Sequence, residues 1–144
     1  MVTFVTMHPQ NLWRQYMPMT NVQLKIAMIG ILLPYAARLP KGIDWVQQYT
    51  SSGLFANLFL GALNAIPWGF MIAASSALQS KKLLLVPCMF GFGVIAWGHY
   101  TLDLNSNANA PIGLVIIPLY ATIAVGIGTA VGIAIERLVT RRDA

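Results

Sequence analysis

His99 and Asp103 are the residues whose types and spacing best suit chemistry. They stand four apart, and on a helix that spacing puts both on one face. A carboxylate beside an imidazole favours the charged ring and fixes its tautomer. Such a pair serves a proton relay or supports a metal ligand from behind. Trp97 and Tyr100 flank it. The plainer reading is a polar helix end at the lipid–water boundary, where Trp and Tyr collect.

A second group is Asn57 and Asn64, seven apart, which form one stripe with Gly61 and Trp68. An amide in lipid needs a partner, so this stripe should face protein. It either lines a route for a small solute or ion, or bonds to a neighbouring helix. A third group is small. Ala124, Gly128 and Gly132 make one ladder; Thr122, Gly126, Ala130 and Ala134 make another. Spacing of four lets two backbones approach closely. The ladders are offset by two residues, about 200° of rotation. One can therefore face the chain's own bundle while the other faces a partner.

Metal and cofactor chemistry find little support. The histidines are His8 and His99, and Cys88 is the single cysteine. The topology given below puts the two histidines on opposite sides of a bilayer. Cys88 and His99 lie about 16 Å apart along a helix, too far for shared ligation. Gly126-Ile127-Gly128 sits inside an apolar run with no preceding strand, unlike a nucleotide fingerprint. No Ser–His–Asp set or HExxH run is present. No metal and no cofactor are expected.

These groups must be carried by helices in lipid. Of 144 residues, 57% are hydrophobic and only 9% charged, and the mean hydropathy is +0.66. A soluble domain is about a quarter charged, and one this small buries only about two-thirds of its surface. So much apolar surface needs lipid as its solvent. The net charge is +5, but the basic residues sit beside apolar runs. That points to anionic lipid and membrane orientation, not to nucleic acid.

Four spans are expected, at residues 22–39, 53–79, 83–102 and 111–135, forming a four-transmembrane-helix bundle in a single membrane domain over 1–144. Asn21 can cap the first, and Pro40 follows it. Lys25 lies one turn inside and can snorkel. The second exceeds a bilayer core of about 30 Å, so it should tilt or bend, and Pro67 supplies a bend. Pro34, Pro87 and Pro118 mark the others; in lipid, neighbouring helices can satisfy the freed carbonyls. The connection at 80–82 is short enough to force an antiparallel hairpin. Residues 9–17 read as a short interfacial helix, with Leu12, Trp13, Tyr16 and Met17 on one face. Residues 1–21 lack the basic head and apolar stretch of a secretory signal.

With both termini inside, seven of the nine Lys and Arg residues are cytoplasmic, the last of them in a basic tail at 136–144. Only Arg38 and Lys41 lie outside. The positive-inside rule therefore predicts cytoplasmic termini, in a bacterial inner membrane. No ionisable residue falls near the middle of a span, which counts against an ion-coupled transporter. Two function classes follow. One is a non-catalytic accessory subunit, packed against other membrane subunits or copies of itself. The other is a small homo-oligomeric channel or carrier lined by Asn57, Asn64, Thr122 and His99. An intramembrane enzyme using His99 and Asp103 is a weaker third.

Overall fold

A computed structural model describes residues 20–51, 53–78 and 80–142. Its elements are helices, with no strand among the described residues. Helix α1 (Asn21–Ala36) passes through a 3-10 turn, Leu39–Lys41, into a short helix α2 (Ile43–Thr50). Helices α3 (Gly53–Ala77) and α4 (Leu85–Thr101) follow, and a second 3-10 turn, Ala110–Ile112, leads into α5 (Gly113–Arg142). The expected interfacial helix at 9–17, and His8, lie outside the described residues.

Local chemistry sets the boundaries. Thr20, not Asn21, caps α1. Its hydroxyl accepts from the Gln23 N–H at 3.3 Å, and the Gln23 side-chain Oε1 accepts from the Thr20 N–H at 3.0 Å. That reciprocal pair satisfies two donors at the helix start. α4 begins later than expected because Pro87 has no N–H to offer the Leu83 carbonyl. That carbonyl accepts instead from Val86 N–H at 3.0 Å, in a tight turn. At the other end Leu102 is already extended, with ψ 112°. α4 therefore has 17 residues, about 25 Å. Three segments, Asn21–Lys41, Gly53–Ala77 and Ala110–Arg141, are long and apolar enough to cross a membrane.

α4 and α5 run antiparallel and close. A Cβ at Gly128 would come within 2.7 Å of the Pro87 Cα. Gly91 faces Met71 and Val125, Gly98 faces Ile117, and Gly132 faces Leu78. From Pro87–Gly128 through Gly91–Val125 to Gly98–Ile117 the contacts climb α4 as they descend α5, as antiparallel partners must. Gly30 of α1 leaves room for the Trp68 ring of α3. Ile26, Met71, Leu84, Ile95, Ala121 and Val125 pack at the centre. At one end, Ser80 N–H donates to Glu136 Oε1 at 2.8 Å, tying the α3–α4 turn to α5.

The sorting of side chains is that of a membrane protein. Phe55 is 85% exposed and Met89 66%, while Arg38 and His99 are 0% exposed. In water so large an apolar surface over a polar interior would be costly. In lipid the apolar side chains meet their own solvent, and the polar ones must find partners inside.

Candidate functional site

The polar interior gathers where α1, α2 and α4 end, beside the middle of α3. The Arg38 guanidinium is its hub. Its Nε–H donates to the Trp45 carbonyl at 2.7 Å. Nη1 donates to the carbonyls of His99 at 3.3 Å and Leu102 at 2.8 Å, and Nη2 donates to Gln48 Oε1. The carbonyls at the end of α4 have no partner within their own helix. A cation there also meets the negative end of the helix dipole. The ring of Tyr49 lies 4.0 Å from the guanidinium carbon, a cation–π contact. Outside it, Lys41 Nζ sits 3.8 Å from the Trp45 ring centre.

A second chain of bonds starts at the Tyr49 hydroxyl. It lies 2.6 Å from His99 Nδ1, and His99 Nε2 lies 3.1 Å from Asn64 Oδ1. Asn64 Nδ2 donates to the Leu60 carbonyl at 2.9 Å. That fixes Oδ1 as an acceptor, so Nε2 carries the ring proton. A neutral ring then accepts from Tyr49 O–H at Nδ1, and every atom is satisfied. Burial pushes the Tyr49 phenol up to about 12, with the Arg38 charge opposing. The phenol therefore keeps the proton that a bare Nδ1 accepts.

His99 and Asn64, singled out separately in the sequence, are thus bonded to each other. His99 and Asp103 are each bonded elsewhere. α4 ends at Thr101, so the helical register that would align them breaks before Asp103. The Asp103 carboxylate accepts from Gln48 Nε2 at 3.0 Å and from Asn105 N–H at 3.0 Å. Gln48 therefore links Arg38 to Asp103 through one amide.

Asn57, Gly61, Asn64 and Trp68 do share one face, as their spacing predicts. They line a hollow of about 440 Å³ between α1 and α3. Asn57 Nδ2 donates to the Gly53 carbonyl at 3.0 Å, while Asn57 Oδ1 and Trp68 Nε1 are buried without a partner. Thr122 donates to the Pro118 carbonyl of its own helix at 2.8 Å. On α5, Gly128 and Gly132 are buried in the bundle, whereas Gly126, Ala130 and Ala134 are exposed. Among the described residues no group of three His, Cys, Asp or Glu could hold a metal.

Sequence reasoning missed Arg38, Gln48 and Tyr49. The available signal was Arg38 itself, a cation on the side that the charge rule leaves nearly empty. No family model, curated protein or solved structure matches this chain.

Proposed function

We propose that this chain is a non-catalytic accessory subunit of a membrane assembly. It is a single four-span domain in a bacterial inner membrane, with α4 as the third crossing and both termini cytoplasmic. The observation that carries the reading is the division of α5. Gly128 and Gly132 are used inside the bundle, while the Gly126–Ala130–Ala134 face stands open, with nothing within 4 Å of a Cβ placed at Gly126. An open small-residue face lets another helix approach closely, where dispersion and weak Cα–H···O contacts hold it.

The polar cluster supports the same reading. Passing a proton along Tyr49, His99 and Asn64 would require an amide to relay it, and that amide already donates to a backbone carbonyl. The cluster behaves as a lock on the bundle. The channel reading is less well supported, because His99 and Asn64 bond to each other and Thr122 bonds to its own helix.

Co-purification after mild solubilisation tests the proposal. A fixed set of other membrane proteins should accompany the chain, and Gly126→Leu should release them while Ile127→Leu does not. A pure homo-oligomer would favour the channel, and a lone monomer would overturn both readings.

A further inference from the structure

A groove of about 790 Å³ runs between α1 and α4, at the end of the molecule opposite Arg38. Ligand sites commonly fall between about 300 and 1,000 Å³. Val22, Ile26 and Ile29 form one wall, and Leu85, Met89 and Phe92 the other. Both helices start at the same end of the bundle, since each runs antiparallel to α3. Lys25 in the second turn of α1, and Lys81 and Lys82 just before α4, line the groove at that shared end. No Asp or Glu lines it. Glu136, on α5, is turned to the Ser80 N–H.

An apolar trough with three ammonium groups at its mouth matches an amphiphile of one kind. The walls take an acyl chain, and the lysines take an anion at headgroup level. Basic pockets between membrane helices recognise anionic headgroups in this way. We infer that the α1–α4 groove is a binding site for an anionic phospholipid, its phosphate held by Lys25, Lys81 and Lys82. The chain's own residues 1–19 adjoin the groove in sequence, but they contain no Asp or Glu and cannot answer three cations. The inference rests on insertion in lipid alone and not on the accessory role, so an absence of partner proteins leaves it standing.

Two side chains of the groove make it testable. Gly93 lines it with nothing within 4 Å of its Cβ position, so the Cβ of Gly93→Leu has open space and its side chain takes up room in the trough. Cys88 also lines it and is the single thiol of the chain. The full-length protein, delipidated in detergent, is offered phosphatidylglycerol or phosphatidylcholine with the same acyl chains. Bound lipid is counted by native mass spectrometry, and the rate of Cys88 modification by N-ethylmaleimide is followed.

Phosphatidylglycerol should be retained preferentially and should slow the thiol reaction. Each of Lys25→Gln, Lys81→Gln and Lys82→Gln should lower the preference by roughly fivefold. Gly93→Leu should lower retention with the charges intact. Gly69→Leu, equally open around its Cβ but outside the groove, should not. Equal retention of the two lipids by the wild type overturns the inference. So does retention that Gly93→Leu leaves unchanged, which is the result if residues 1–19 or a partner protein fill the groove.

Discussion

Replacing Tyr49 by Phe removes one oxygen and strands the buried His99 Nδ1 without a donor. The cost should be about 1–3 kcal/mol, read as a lower thermal midpoint in detergent. Trp97→Phe, at an exposed position, should be near neutral. The same variant isolates an alkaline effect. Below pH 10 the phenol is protonated in both folded and unfolded chains, so it adds no pH dependence. As pH rises from 10 towards 12, the unfolded chain ionises while the buried phenol holds its proton. Stability should fall across that window, and Tyr49→Phe should remove this part of the fall. His99 and Asn64 were legible in the sequence as polar residues in need of partners. Their bond to each other was not, because it joins positions 35 residues apart. Arg38 was read as one of two outer cations, and its burial depends on acceptors that arrive from α2 and α4.

At the level of whole helices, the contact between Gly128 and Pro87 is the most sensitive joint. Its two nearest neighbours are backbone atoms of Pro87, so Gly128→Leu must push α4 and α5 apart. The expected loss is about 1–3 kcal/mol or more. Gly132→Leu meets the end of the Leu78 side chain, which can move, and should cost less. Ile127→Leu, between the ladders, should be tolerated. Size and thermal stability of the solubilised variants decide the matter. The apolar runs and their prolines placed α1, α3 and α5 within a few residues, apart from the basic extension of α5 to Arg142. The sequence did not reveal α2. Its eight residues sit in a connection punctuated by Gly42, Ser51 and Ser52, too short for a periodic pattern to stand out. Nor did the inward role of Gly91 and Gly98 emerge, although a spacing of seven repeats every two helical turns.

For the molecule as a whole, the charge asymmetry gives an orientation that can be measured. A reporter fused after Ala144 should be cytoplasmic, and one in the 103–110 loop should lie outside. A C-terminus on the outer side would contradict the four-span arrangement by showing an odd number of crossings. Arg38 adds a constraint of a different kind, one of timing. The acceptors that cover its charge, the carbonyls of His99 and Leu102, lie more than sixty residues later in the chain. Synthesis proceeds from the N-terminus, so α1 enters the bilayer before the end of α4 exists. A bare arginine costs about 2.5–3.5 kcal/mol at the centre of a span on insertion scales; Arg38 stands just past the last residue of α1, near the end of its span and within reach of water. Until α4 is delivered, the first helix should ride shallowly, its guanidinium still in water. A nascent chain halted before His99 should therefore leave Arg38 open to a water-soluble arginine reagent, and one carried past Leu102 should close it off. The last step of biogenesis would then be the sinking of a helix made first.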